Sequence, residues 1–282
     1  MELMNVGKLM YLMDKYDIKP KKRMGQNFLI DNNIIQKIIR EADVNGANVV
    51  EIGPGIGSLT VGLAQVAKKV IAIELDKKLI PALEETVGQY PNVEIINEDA
   101  LSVDFDAIMK ERGIEEEYSI VANLPYYITT PIIMYLLESG FKVDKLIFMI
   151  QKEVAARMVA KPATKDYGAL TLGVQYHTEV SQVAKIPPTV FIPKPKVDSA
   201  VIKLVKRTKP LVDVKDERFL FQIIKAGFGK RRKTLLNSLS NSPLGLTREA
   251  ITEACLISDI SPQKRMEELS LQEIANLAVH LA

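Results

Sequence analysis

The stretch NVVEIGPGIGSL, residues 48–59, joins a largely apolar run to a loop with glycine at 53, 55 and 57. The run reads as a strand buried on both faces, and the loop opens a helix near 58–67. Outward from it the two patterns alternate. VIAIEL (70–75), VEIIN (93–97), YSIVAN (118–123) and KLIFMIQ (145–151) read as strands. Helices are predicted near 31–42, 77–89, 105–112 and 130–138. Strands of this kind separated by helices predict an α/β fold, a parallel sheet with helices on both faces. ALTLGVQY (169–176), QVAKI (182–186) and VDSAVIKLV (197–205) read as further strand, with the proline-rich PPTVFIPKPK between the last two. From about 213 the pattern is helical to the end, so a small all-helical domain is predicted after a boundary near 208–212.

The 282 residues leave room for one large or two ordinary domains, and 47% hydrophobic with 26% charged residues is the balance of a soluble globular chain. The uncharged run YSIVANLPYYITTPIIMYLL (118–137) is long enough for a membrane span, but Asn123, Pro125 and Pro131 argue against one. The N-terminus lacks an unbroken apolar core of a signal peptide, and the single Cys255 fits a reducing compartment. A cytoplasmic location is expected. His177 and His280 have no metal-ligand spacing, so no metal is expected. The net charge of +2 conceals an imbalance. From Lys185 to Lys233 there are 14 Lys/Arg against four acids, a local +10, so the remainder carries −8. Phosphate is the simplest partner for such an excess, and a second cluster, KPKKR, lies at 19–23.

Gly53 and Gly55 let the backbone turn sharply and approach a ligand, and Glu74 ends the next strand, placed to accept hydrogen bonds from ribose hydroxyls. That much suits a dinucleotide or S-adenosylmethionine. A dinucleotide fingerprint needs glycine where Ser58 stands, and Pro54 removes an N–H from a loop that would cradle pyrophosphate. With Glu51, Glu98 and Asp99 the rim becomes acidic, which repels pyrophosphate and suits a sulfonium. Glu98 reads as a cap, whereas Asp99 could accept from an adenine amino group. S-adenosylmethionine is the cofactor these residues favour.

A methyl donor needs an acceptor, and Asn-Leu-Pro-Tyr (123–126) ends the fourth strand at the same sheet edge. An exocyclic aromatic amine is a poor nucleophile, because its lone pair is delocalised into the ring. Two acceptors on its N–H groups, the Asn123 side-chain oxygen and the Leu124 carbonyl, could free that pair for in-line attack. Pro125 would fix the turn and Tyr126 could stack on the base. A target adenine must leave its stack, so a second aromatic is useful, and Phe191 stands in the proline-rich loop with Lys194 and Lys196 beside it. Tyr127 and Tyr135 read as packing.

Gly-Gln-Asn-Phe-Leu (25–29), EIGPGIGSLT, IELD, EDAL, NLPYYI, FIPKPKVDSAV and FGKRRKTLLNSL occur in one order. Together they resemble the KsgA family of ribosomal RNA small-subunit adenine N6,N6-dimethyltransferases over about residues 20–282. The resemblance implies a Rossmann-like class I methyltransferase domain at 21–208 and a helical RNA-binding domain at 209–282, after an N-terminal extension at 1–20. It implies that Asn27 and Leu29 cover the cofactor, whose site Gly53, Glu74, Asp99 and Asn123 complete, and that Asn123, Leu124, Pro125, Tyr126 and Phe191 hold the adenine. The implied reaction is dimethylation of two adjacent adenines in a hairpin near the 3′ end of 16S rRNA, within the immature 30S subunit, during small-subunit biogenesis. Lys230, Arg231, Arg232 and Lys233 would position RNA without reading its sequence. Nothing in the sequence requires a dimer, so a monomer is expected. Two alternatives stand beside this reading: a 23S rRNA adenine methyltransferase of the antibiotic-resistance type, and an RNA-binding assembly factor whose activity is dispensable.

Overall fold

The computed structural model describes residues 4–21 and 25–282, so Lys22 and Arg23 of the basic KPKKR cluster lie outside the described residues. The chain starts with α1 (Val6–Lys15), β1 (Phe28–Leu29) and α2 (Asn32–Ala42). Strand and helix then alternate through β2 (Asn48–Ile52), α3 (Ser58–Ala64), β3 (Lys69–Ile73) and α4 (Ile80–Val87). The alternation continues with β4 (Val93–Ile96), α5 (Phe105–Glu111), β5 (Tyr118–Asn123), α6 (Thr129–Glu138) and β6 (Val143–Gln151). Next come α7 (Lys152–Met158), α8 (Ala169–His177), β7 (Thr178–Ile186), β8 (Phe191–Ile192) and β9 (Ser199–Lys206). The chain ends in α9 (Glu217–Phe228), α10 (Leu235–Ser240), α11 (Arg248–Ile257) and α12 (Leu271–Leu281).

Among the described residues seven strands form one sheet in the order β4-β3-β2-β5-β6-β9-β7. β2 runs parallel to both β3 and β5, β6 is parallel to β5, and β9 runs antiparallel to β6. All five residues of β2 are buried. Because neighbours along a strand point to opposite faces, both faces of the sheet are covered there. On one face Ile35, Ile38 and Ile39 of α2 join Leu59 and Leu63 of α3 against Val49, Val121 and Ile147. The chain leaves β2 first toward β3 and later, through β5, toward the other side. Loops therefore diverge at the C-terminal end of β2 and leave a crevice.

By contacts the chain divides into two compact units, one comprising Met1–Ala155 with Ser181–Lys206, the other Ala156–Val180 with Arg207–Ala282. The segment 156–180, which the sequence reading assigns to the first domain, thus belongs with the C-terminal helices. Tyr167, Leu172 and Tyr176 are buried in one cluster with Leu220, Ile223, Leu235, Ile251 and Ile274. The Tyr167 hydroxyl donates to the Leu269 carbonyl at 2.9 Å.

ALTLGVQY is a helix and not a strand. An apolar run of eight residues has no period to separate the two, and α8 is buried nearly all round. Its start is fixed locally: the Gly168 N–H donates to Thr171 Oγ1, and that hydroxyl donates to the Arg157 carbonyl. The N-terminal extension is also folded into its unit. Asn5 caps α1 through Lys8 N–H, and Met4, Leu9 and Leu12 pack with Phe28, Ile56 and Leu79.

Gly227 in α9 lies under Met266, where an added Cβ would meet Cε at 2.2 Å, Cγ at 2.7 Å and Cβ at 2.9 Å. Alanine would raise helix propensity by about 1 kcal/mol, but three overlaps with one buried side chain force backbone movement costing about 1–3 kcal/mol. Gly227→Ala is therefore expected to lower the urea midpoint with an unchanged m-value, and a raised midpoint would contradict this packing.

Candidate active site

The crevice lies at the C-terminal ends of β2, β3 and β5 and is lined by residues from the segments 25–29, 51–59, 73–79, 98–100 and 123–128. Its glycine loop adopts left-handed backbone at Gly53 (φ 67°), Gly55 (φ 63°) and Gly57 (φ 91°), conformations that side chains rarely take. At Gly57 an added Cβ would also lie 3.0 Å from Leu83 and Thr86 of α4. The turn and the close helix contact together require glycine there.

Glu74 is only 6% exposed. Its Oε2 accepts the Gly55 N–H at 3.0 Å and its Oε1 accepts the Asp76 N–H at 2.8 Å. Burial raises its pKa, and these two N–H groups oppose the rise. Each carboxylate oxygen keeps a second acceptor position. Deeper still is Glu51, 1% exposed, whose Oε2 has no hydrogen-bond partner. Burial lifts the Glu51 pKa to about 8, the Thr60 hydroxyl opposing and the nearby Glu74 charge adding to it. Asp99 is half-buried and accepts the Leu101 N–H at 3.0 Å, while Glu98 is exposed, yet it also lines the crevice.

At the end of β5 Asn123 Nδ2 donates to the Asn27 carbonyl at 3.1 Å. That bond commits the amide nitrogen and leaves Oδ1 as the acceptor. The Leu124 N–H is held by the Met149 carbonyl at 3.1 Å, and the Pro125 carbonyl accepts from Ile128 N–H and Thr129 Oγ1. The Tyr126 hydroxyl shares a 2.7 Å hydrogen bond with Ser199 Oγ, and burial raises its pKa. Gly25 (φ 60°) passes so close that a Cβ would lie 3.2 Å from the Tyr126 nitrogen. Asn27 and the buried Leu29 line the same crevice. The structure therefore brings together Asn27, Leu29, Gly53, Gly55, Glu74, Asp99, Asn123, Leu124, Pro125 and Tyr126.

Phe191 stands apart. It pairs with Leu29 across the β1–β8 ladder, is 1% exposed, and belongs to the core cluster with Leu29, Val190 and Val201. It does not line the crevice, so in this conformation its faces are covered and it does not offer a stacking surface. Tyr127 does line it, 52% exposed, its phenol pKa raised by burial and then by the charges of Asp99 and Glu74. The reading of Tyr127 as packing is corrected accordingly, whereas Tyr135 packs edge-on against Phe141 and near Phe105. Leu75, Gln26 and Phe28 are further lining residues that sequence reasoning passed over. Leu75 directly follows Glu74, a position the strand-end argument could have reached.

Lys194 and Lys196 are exposed in the loop after β8. Lys230, Arg232 and Lys233 are exposed in the turn between α9 and α10. Arg231 differs from them, because its guanidinium donates to the Glu267 carboxylate at 2.8 and 3.0 Å and to the carbonyls of Lys165 and Tyr167. Arg231 is exposed as well, but these bonds also tie it to its own unit. Among the described residues no helix is long and apolar enough to cross a membrane, and no group of His, Cys, Asp and Glu could hold a metal.

Glu51 yields a pH dependence. A carboxyl with an ordinary value of 4.5 that rises to about 8 on folding keeps its proton longer in the native state, so the native state loses stability as pH climbs through that window. Glu51→Gln is expected to flatten the fall in urea midpoint between pH 5 and about 8. Parallel midpoint curves for the two proteins would contradict the burial argument.

The ribosomal RNA adenine dimethylase family profile matches residues 18–282. A ribosomal RNA small subunit methyltransferase A from Alkaliphilus oremlandii is 49% identical over 272 residues, covering 96% of this chain and 95% of the relative. One from Bacillus mycoides is 46% identical over 271 residues, with 95% and 93% covered. Among solved structures, a dimethyladenosine transferase from Plasmodium falciparum superposes with a TM-score of 0.72 at 27% identity, over 89% of this chain and 95% of that one. The 23S rRNA methyltransferase ErmE superposes with a TM-score of 0.68 at 27% identity, over 90% and 99%. The fold is that of class I S-adenosylmethionine-dependent methyltransferases, and the chain belongs to the ribosomal RNA adenine dimethylase family.

Proposed function

We propose that the protein dimethylates N6 of two adjacent adenines in a hairpin near the 3′ end of 16S rRNA, in the immature 30S subunit, acting as a cytoplasmic monomer. The relatives that share almost half its sequence carry the small-subunit name, which favours this target over the 23S alternative. The residues present suit S-adenosylmethionine. Glu51 Oε2 is buried without a partner, Glu74 keeps acceptor capacity, and among the described residues no cationic side chain lines the crevice to repel a sulfonium. When bound, that group supplies an electrophilic methyl. Glu74 would hold its ribose, Asp99 its adenine amino group, and Asn27 and Leu29 would exclude water from it.

The observation that carries the reading is the committed Asn123 amide. With Nδ2 held by Asn27, Oδ1 is fixed as an acceptor at the end of β5, one residue before the Leu124 carbonyl. Two such acceptors would draw an N6 amine away from planarity and orient its lone pair. The product ammonium is acidic enough to lose its proton to water, so positioning supplies most of the rate and no strong base is needed. Tyr126 would stack on the base, with Tyr127 the exposed aromatic beside it. The covered state of Phe191 leaves it a stacking role only if β8 shifts when RNA binds.

The test is methyl transfer from labelled S-adenosylmethionine to immature small subunits, followed by nucleoside analysis. Dimethyladenosine is expected, and methyl groups found only on other positions would sink the reading. Asn123→Ala should slow transfer by about 10²–10³-fold, as loss of one positioned hydrogen-bonding group does elsewhere, while RNA affinity holds.

A second outcome follows from the turn between α9 and α10. Lys230→Ala, Arg232→Ala and Lys233→Ala should each weaken RNA binding and reduce the salt slope by about 1 without lowering the melting temperature. Arg231→Ala should instead destabilise the fold, by about 1 kcal/mol for its partly exposed hydrogen bonds. An unchanged slope in all three lysine and arginine variants would move the RNA contact elsewhere.

A further inference from the structure

The wall of the crevice formed by Gly25–Leu29 is held at both ends. At its C-terminal end β1 pairs with β8, and the Ile30 N–H donates to the Val190 carbonyl at 2.9 Å. At its N-terminal end, among the described residues, the anchor is the carboxylate of Asp76. Asp76 Oδ2 accepts from Lys21 Nζ at 2.7 Å and from Gln26 Nε2 at 2.9 Å. The Lys21 N–H closes the ring by donating to Gln26 Oε1 at 2.8 Å, so both ends of the Gln26 amide are used.

Asp76 does more than shape its own loop. Its Oδ1 accepts the Lys78 N–H at 3.2 Å, which suffices for the local turn. Its Oδ2 serves groups 50 and 55 residues earlier in the chain, which the turn does not need. In addition, its backbone N–H donates to Glu74 Oε1 at 2.8 Å. The carboxylate is 7% exposed, so salt and water screen these bonds weakly. Burial works against its charge, and Lys21 and Gln26 outweigh that, holding it below the usual carboxylate range.

We propose that Asp76 is a positioning residue for the methyl donor. Through Lys21 and Gln26 it pins the Gly25–Leu29 wall to the strand end that carries Glu74, so the wall and the ribose carboxylate are set as one piece. The proposal rests on the donor reading given above. The wall also carries the Asn27 carbonyl that orients Asn123, so a loosened wall should first be felt where the donor is held.

Calorimetry with S-adenosylhomocysteine, the thioether left after transfer, tests this without turnover. Asp76→Asn keeps the shape and a turn acceptor but loses the charge. Lys21→Ala leaves the crevice lining intact and lies at a partly exposed position that should not endanger folding. Each is expected to weaken binding by about tenfold, or about 1.4 kcal/mol. The double variant should be no weaker than either single one, because both break the same link. KM for the donor should rise in parallel, with RNA affinity unchanged. Parent-like dissociation constants in both variants would overturn the proposal. So would additive losses in the double variant, or losses that track a fall in melting temperature. If the parent protein itself binds neither S-adenosylhomocysteine nor S-adenosylmethionine, the donor reading fails and this proposal with it.

Discussion

A carboxylate that water barely reaches must find its stabilisation in fixed dipoles, and at Glu74 two backbone N–H groups provide it. One comes from the glycine loop, the other from the turn that leads into α4. Those contacts set much of the crevice. The loop cannot shift without uncovering Glu74, and the turn cannot shift without disturbing Asp76 and the wall it anchors. Gly57 tightens the same joint, since its backbone packs directly on Leu83 and Thr86. The strands supply only the platform; the crevice takes its shape from polar groups that would be costly to leave unpaired.

The platform was legible in the sequence because buried parallel strands have a strong signature. The runs at 48–52, 118–123 and 145–151 lie within or coincide with β2, β5 and β6. Where the signature is ambiguous, the reading went astray. ALTLGVQY carries no polar face because α8 has no solvent face, so nothing in its composition separates helix from strand. The assignment of 156–180 to the C-terminal unit is a long-range matter, decided by Tyr167 and Tyr176 packing with residues far along the chain.

Site residues divide in a similar way. The crevice positions of the glycines, the strand-end acids and Asn123 were legible because each has a chemical reason to stand at the C-terminal edge of a sheet. The burial of Phe191 and the partners of Arg231 were not. Both were judged by residue type, an aromatic in a loop and a cation in a basic run, and type does not reveal burial or partners. Phe191 is covered by a two-residue ladder, and Arg231 is taken up by a carboxylate and two carbonyls. Tyr127 shows the converse, a tyrosine set aside as packing that is half exposed at the crevice.

The chain has two electrostatic demands that conflict. Its donor is a cation and its substrate a polyanion, so one surface cannot serve both. The sequence separates them: the +10 stretch from Lys185 to Lys233 follows the segment that carries Glu74 and Asp99. An acidic crevice excludes phosphates but not a neutral base, so only a nucleobase turned out of its stack gains by entering it. On the proposed reading, selectivity for a flipped adenine would then need no dedicated gate. Repulsion would keep the RNA backbone out, and the Oδ1 acceptor on Asn123 would reward a group with N–H bonds to give.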